Sequence, residues 1–264
     1  MKYLFNKYER KIVYIMWCAM FAAFILLVAA TTKHHVTNKC EDVKVIIQRD
    51  STNKFLNEAD VIHEVQVQTG IELKDRIIYD VDLQLIENEI KHMPFVKSSQ
   101  IYFDNNGLLT FNLEERHPLI RVVNKNNVSY YIDNEGNKFP VSTKFTARVP
   151  IISGHIADND LTDGAVGSSI GISIFQLANF IANDSFLTAF VEQIYVDEKE
   201  QFILIPKWGD YEIELGSIEN MESKFKKLNR FLTDGIESNG WKNYKTINLK
   251  YNKQIVCSLK NTNT

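Results

Sequence analysis

The sequence predicts an α+β protein with a single N-terminal transmembrane helix, a small β-α-α-β-β domain and a larger, mostly antiparallel β domain with helices. Three observations predict this fold class: an uncharged apolar run near the N-terminus, one β-α-α-β-β pattern after it, and many short strand patterns beyond. A chain of 264 residues is long enough for two domains in addition to an anchor. The predicted divisions are a cytoplasmic N-terminus (1–11), the transmembrane helix (12–32), a spacer (33–42), the first domain (43–115), the β domain (116–260) and a tail (261–264).

The anchor is predicted from the run Ile12–Ala30, which contains no charged residue. As a helix it would be about 28 Å long, close to the hydrocarbon thickness of a bilayer. Basic residues precede the run, so the positive-inside rule places the N-terminus in the cytoplasm and the rest of the chain outside it. The alternative is a cleaved signal peptide, but its apolar core is usually shorter, about 7–15 residues. The basic residues are Lys2, Lys7, Arg10 and Lys11.

The first domain begins with a β-branched segment, Val43–Gln48, which predicts a strand. Asn57 is expected to cap a helix that runs to about Gln68, and Gly70 is placed to end it. A second helix is predicted over Asp82–His92, where apolar residues recur at helical spacing.

A hairpin completes the first domain. A strand is predicted over Phe95–Phe103, and an Asn-Gly pair at Asn106-Gly107 suits the positive φ angles of a tight turn. The return strand alternates, with Leu109, Phe111 and Leu113 on one face.

The β domain is predicted from short strand patterns separated by turns. A helix over Ser168–Asn183 and another after Ser217 interrupt them, and the Ser217 hydroxyl is expected to cap the second helix. The buried stripe of that helix is Met221, Phe225, Leu228 and Leu232. The strands are expected at Leu119–Val123, Val128–Asp133, Lys138–Val141, Arg148–Ser153, Val191–Val196, Gln201–Ile205, Tyr211–Leu215, Thr246–Tyr251 and Gln254–Leu259.

The composition and the motifs argue against several classes of function. A net charge of -3 does not suggest a nucleic-acid partner, which usually meets a basic protein face. No zincin, nucleophile-elbow, dinucleotide or phosphate-loop motif occurs, so we expect no enzymatic activity, no cofactor and no small-molecule substrate. His34-His35 with Cys40 lacks a fourth ligand at a usable spacing, so we expect no metal site. Cys40 and Cys257 are expected to be free thiols, with a disulfide between them as the alternative.

Several segments resemble blocks of known domains. Residues 80–96, which end in Met93-Pro94-Phe95-Val96, resemble the second helix and exit of a POTRA domain. Leu113–Ile120 resembles the crossing from POTRA into the β domain of the FtsQ/DivIB family. Later blocks similar to that family are Ile132–Phe139, Val149–Gly154, Leu215-Gly216 with the helix after it, and Ile247–Tyr251.

The resemblance implies a bitopic divisome scaffold in the bacterial inner (cytoplasmic) membrane at the division septum. Its N-terminus would be cytoplasmic and its C-terminal domain periplasmic. It would bind FtsB-like and FtsL-like coiled-coil proteins, meet other septal proteins through the POTRA domain, and help to recruit and regulate septal peptidoglycan synthesis. The alternative is a POTRA-bearing component of an envelope protein transport or assembly system.

The resemblance also implies where the partner binds. The strand Thr246–Tyr251 and the turn to Ile255 are expected to pair with a β segment of the FtsB-like protein through main-chain hydrogen bonds. Tyr251 is expected to contribute most, since large aromatic side chains often dominate interfaces. The alternative is that this strand is only part of the core, with Ile247, Leu249 and Tyr251 facing inward; both can hold, because strand addition uses the edge of a sheet and not its buried face. The expected partner-binding residues are Asn248, Lys250, Tyr251, Asn252, Gln254 and Ile255.

Overall fold

The computed structural model describes residues 13–29, 39–49, 54–104, 106–157, 166–235 and 243–260. The chain divides into two compact units. The first comprises residues 1–48 and 56–115, and the second comprises residues 49–55 and 116–264. The predicted N-terminus 1–11, most of the spacer and the tail 261–264 lie outside the described residues.

Helix α1 covers residues 13–29, and its large apolar side chains are exposed. The first and last residues of the predicted apolar run, Ile12 and Ala30, lie outside the described residues. None of the helices in the described ranges has the length and apolarity needed to cross a membrane.

The first unit contains a three-stranded sheet and two helices. The sheet consists of β1 (Asp42–Gln48), β2 (Val96–Phe103) and β3 (Leu108–Glu115) in the order β1-β3-β2. Strand β1 runs parallel to β3, and β2 runs antiparallel to it. Between β1 and β2 lie helices α2 (Glu58–Thr69) and α3 (Leu83–His92), with a 3₁₀ turn at Ile78–Asp80. The β-α-α-β-β order is therefore the predicted one.

The two ends of α2 form as the sequence predicts. The Asn57 side chain accepts a hydrogen bond from the Ala59 N–H at 3.1 Å, and Gly70 ends α2 with φ 64°. Asp82 caps α3 by accepting from the N–H groups of Gln84 and Leu85. The core between helices and sheet contains Val61, Val65, Ile86, Ile90, Leu109, Phe111 and Leu113.

The second unit is built on one nine-stranded sheet. Five of the eight strand pairings among the described strands are antiparallel, and β4/β7, β7/β8 and β10/β11 are parallel. The strand order is β12-β11-β10-β9-β8-β7-β4-β5-β6. The strands are β4 (Pro118–Val123), β5 (Ser129–Asp133), β6 (Lys138–Pro140), β7 (Ile151–Gly154), β8 (Val191–Val196), β9 (Phe202–Pro206), β10 (Glu212–Gly216), β11 (Tyr244–Asn248) and β12 (Val256–Leu259).

Helices α4 (Ser169–Ala182), α5 (Ser185–Phe190) and α6 (Met221–Arg230) accompany this sheet, and a π-helical turn at Phe231–Gly235 follows α6. Buried apolar residues of α4 and α6 join those of the strands in a single core. Helix α5, whose N-terminus is capped by Asp184, was not predicted from the sequence.

The predicted cap of the last helix is wrong. Helix α6 begins at Met221, and Asn220, with φ 54°, takes the cap position without a side-chain hydrogen bond. Ser217 lies too far before the first turn to cap it, since a capping side chain reaches only the N–H groups two or three positions on. Its carbonyl instead accepts a hydrogen bond from Lys224 Nζ at 2.8 Å.

Candidate partner-binding edge

The nine-stranded sheet ends in two edge strands, β6 and β12. An edge strand presents main-chain N–H and C=O groups that can pair with another chain. Strand β6 has only three residues, ends in Pro140, and buries the side chains of Lys138 and Phe139. In β12, by contrast, Val256 is 43% exposed and Leu259 is 64% exposed. Within the described chain, β12 has no strand on its outer side, so it is the edge better suited to pairing.

The strand predicted over Thr246–Tyr251 does not form this edge. Strand β11 ends at Asn248 and lies between two neighbours: it is parallel to β10 and antiparallel to β12. Its ladder is already occupied on both sides, so a partner cannot pair with it there. The expected edge is therefore corrected to β12. After β10 the chain forms α6 and then β11, which pairs with β10, and β12 then pairs with the other side of β11 and becomes the edge strand.

Two of the expected site residues converge on one carboxylate of β10. Asn248 Nδ2 donates to Glu214 Oε2, and Lys250 Nζ forms an ion pair with the same oxygen at 2.7 Å. Asn248 Oδ1 also accepts from the Lys250 N–H at 3.0 Å. The Lys250 stem lies over Gly216, where an added Cβ would approach Lys250 Cγ to 2.7 Å. Asn248 therefore holds the sheet together locally, and the Lys250 charge is already partly neutralised.

The other expected residues lie on the connection from β11 to β12. Ile247 and Leu249 are fully buried, as expected for a core strand, but Tyr251 is 51% exposed. Asn252 and Gln254 are exposed as well, whereas Ile255 is half-buried and packs against the core. The exposed side chains of this connection thus directly precede the open edge strand.

A lysine of α6 also contacts the connection between β11 and β12. Lys227 Nζ donates to the carbonyl oxygens of Leu249 at 3.3 Å, Tyr251 at 2.5 Å and Gln254 at 3.4 Å. Burial lowers the pKa of the Lys227 ammonium. The three carbonyls offset part of that loss of hydration, because each of them orients its negative end toward the charge.

Comparison with known families agrees with this architecture. Residues 117–258, more than half of the chain, match the family model described as FtsQ/DivIB, C-terminal related. The chain belongs to the FtsQ/DivIB family. A second family model, for a POTRA-like domain, matches residues 38–114. A comparison with curated proteins found no match.

FtsQ/DivIB and POTRA domains are of a scaffold type, and the two buried carboxylates among the described residues, Glu115 and Asp133, have structural partners. Glu115 accepts a hydrogen bond from the Leu56 N–H at 3.1 Å, and Asp133 forms an ion pair with Arg116 at 2.7 Å. Cys40 and Cys257 are free thiols, and burial raises the pKa of each. No group of three or more His, Cys, Asp or Glu side chains in the described ranges is placed to hold a metal ion.

Sequence reasoning missed four residues of the candidate site: Val256 and Leu259 on β12, Glu214 on β10 and Lys227 on α6. The first two belong to a strand that was predicted, but its position at the sheet edge depends on strand order, which is not a local property. Lys227 directly precedes the buried Leu228 on an amphipathic helix, and a lysine there is usually solvated. The carbonyls that it contacts lie 22 to 27 residues further along the chain.

Proposed function

We propose that this protein is a bitopic divisome scaffold whose β12 edge binds an extended segment of an FtsB-like partner. An FtsL-like protein would join through that partner, and the assembly would help to recruit and regulate septal peptidoglycan synthesis. The observation that carries this proposal is the exposed edge strand β12, which has no pairing strand on its outer side within the described chain. Strand addition to such an edge takes affinity from main-chain hydrogen bonds and specificity from alternate side chains.

Exposed side chains on and before β12 supply the specificity in this proposal. Tyr251 offers a large aromatic surface, and Val256 and Leu259 offer apolar ones. Asn252 and Gln254 add polar contacts at the rim. Asn248, Lys250 and Ile255 act more indirectly, because their side chains already contact Glu214 or the core.

The anchor remains part of the proposal. Helix α1 carries exposed Trp17, Phe21 and Leu26, side chains that lie favourably in lipid. The proposed topology has a cytoplasmic N-terminus and the two domains on the outer side of the membrane, with boundaries at 12–32, 43–115 and 116–260. In the first unit, strands β1 and β2 are the edges of the three-stranded sheet, and we propose that this domain meets other septal proteins.

Site-specific photo-crosslinking in cells tests the proposed edge. A photoreactive phenylalanine analogue is placed in the full-length chain at Ser258, on β12. Matched controls carry it at Pro140, on the opposite edge, and at Lys199, in an exposed turn. We expect a crosslink to the FtsB-like protein from position 258 alone. A crosslink from position 140 with none from 258 would reject the assignment, and capture of transport or assembly proteins would favour that alternative.

A further inference from the structure

The connection between β11 and β12 is organised around a single ammonium group. A lysine side chain has three N–H donors and no acceptor. Lys227 directs all three toward carbonyls of one turn, those of Leu249, Tyr251 and Gln254. Carbonyl oxygens repel one another when they converge, so a positive charge at their centre stabilises this turn over other shapes.

The turn contains a residue in a backbone conformation that is unfavourable without stabilising contacts. Lys253 has φ 64°, in the left-handed region that non-glycine residues rarely adopt. A conformation of this kind persists when the surrounding contacts fix it. The turn is fixed at its start by the Leu249 N–H, which donates to the Glu214 carbonyl at 2.9 Å. The Lys227 side chain contacts its later part, at the carbonyls of Tyr251 and Gln254.

Helix α6 delivers Lys227 to this point from within the core. Phe225 and Leu228 of the same helix are buried in the core, and their packing anchors α6. Lys224, one turn earlier, donates to the Ser217 carbonyl at 2.8 Å and so fixes the chain before the helix. Helix α6 therefore holds two segments by one lysine each: the chain directly before the helix and the connection between β11 and β12.

We propose that Lys227 is a positioning residue for the partner-binding edge: it sets the shape of the Leu249–Gln254 turn, the direction of Tyr251 and the start of β12 before the partner arrives. The inference rests on the proposed function of β12. Its physical basis is preorganisation, since a turn that is already ordered does not have to lose conformational freedom on binding.

The test compares three variants of the full-length chain in detergent micelles. Lys227→Met removes the ammonium but keeps a stem of similar length, and Lys227→Arg restores a cation with several donors. Lys226→Met, at the exposed neighbouring position, is the matched control. Hydrogen exchange of the 251–259 backbone is measured by mass spectrometry without partner. Affinity is then measured with a synthetic peptide that covers the extracytoplasmic segment of the FtsB-like protein.

We expect Lys227→Met to exchange faster over residues 251–259 and to bind the peptide about tenfold more weakly, as for the loss of one charge-assisted hydrogen bond. Outside residues 251–259, hydrogen exchange of Lys227→Met should match that of wild type. Lys227→Arg should recover most of the peptide affinity. Lys226→Met should match wild type in both hydrogen exchange and peptide affinity. If Lys227→Met does not fold, Lys227→Gln, which retains two N–H donors, replaces it in the comparison.

Two outcomes separate this inference from the proposed function. Faster exchange in Lys227→Met with wild-type affinity would overturn the positioning role and leave the β12 edge intact. Unchanged exchange over 251–259 would overturn it as well. Failure of Ser258 to crosslink to the FtsB-like protein would instead reject the edge itself, whatever Lys227 does to the turn.

Discussion

Arg116 Nη1 lies 2.7 Å from Asp133 Oδ2, and the Asp133 side chain is only 1% exposed. The other carboxylate oxygen accepts hydrogen bonds from the N–H groups of Glu135 and Asn137 at 2.9 and 2.8 Å. This carboxylate therefore joins the segment directly before β4 to the turn between β5 and β6. Removing it takes this ion pair from Arg116 and these two hydrogen bonds from the turn.

The first prediction concerns stability. Asp133→Ala should lower the free energy of unfolding by about 3 kcal/mol, the usual cost of breaking a buried pair by removing one partner. Thermal unfolding of the full-length chain in detergent measures the change. Asp210→Ala is the matched control, because Asp210 pairs with Lys260 while its side chain is 97% exposed. Equal loss in the two variants would contradict the structural role of Asp133.

The second prediction concerns the aromatic residue of the site. Tyr251→Ala should weaken binding of the FtsB-like peptide by at least ~2 kcal/mol, because a large aromatic at an interface centre often contributes that much. Stability should change little, since half of the side chain is already exposed. Tyr195→Ala, at a comparably exposed tyrosine on interior strand β8, is the control. If calorimetry gives the two variants the same affinity, Tyr251 lies outside the interface.

The third prediction uses Cys257 as a probe of β12. Burial raises the pKa of this thiol, so at neutral pH less of the reactive thiolate forms and alkylation should be slower than for an ordinary cysteine. The rate should rise as pH increases toward the raised pKa. Bound partner should slow alkylation of Cys257 further and leave Cys40, in the first unit, unchanged. Mass spectrometry after iodoacetamide treatment reads both sites, and equal protection of the two thiols would argue against binding at β12.

The fourth prediction concerns the anchor. The charge asymmetry around Ile12–Ala30 predicts that the chain keeps its N-terminus after export of the following domains. Intact mass measurement on protein purified from membranes checks this. A mature chain that begins near Thr31 would show that the apolar run is a cleaved signal peptide.

Sequence patterns predicted the first unit well because its signals are local. Asn57 and Gly70 mark helix ends through hydrogen bonds within a few residues, and the alternation of Leu109, Phe111 and Leu113 follows from the geometry of one strand. In the second unit α5 was not predicted, and for the strands the predicted and observed bounds differ by no more than three residues. The Ser217 cap failed because Asn220 turns the chain through a positive φ directly before the helix.

The site could be predicted only in part because it depends on long-range order. Tyr251 was proposed through a family motif, and half of its side chain is exposed. Which strand forms the edge depends on the parallel pairing of β10 with β11, and no residue pattern within either strand determines that pairing. Glu214 was missed for the same reason, because its side chain contacts Asn248 and Lys250 only when β10 and β11 have paired in the sheet.

A proline at Leu259 tests the central claim, that a partner strand pairs with β12. The Lys260 N–H donates to the Asn243 carbonyl at 2.8 Å, toward the β11 side. Since N–H directions alternate along a strand, the Leu259 N–H points to the open edge. Leu259→Pro removes that donor without breaking a bond to β11, and edge strands tolerate proline when its position faces outward.

The measurement is the affinity of full-length Leu259→Pro for the FtsB-like peptide, with Leu259→Ala as the control that removes only the side chain. Hydrogen exchange confirms that β11 and β12 stay paired in both. We predict that the proline variant binds about tenfold more weakly than the alanine variant, as for one lost main-chain hydrogen bond at an interface. Equal affinities of the two variants, with β12 intact, would contradict strand addition at this edge.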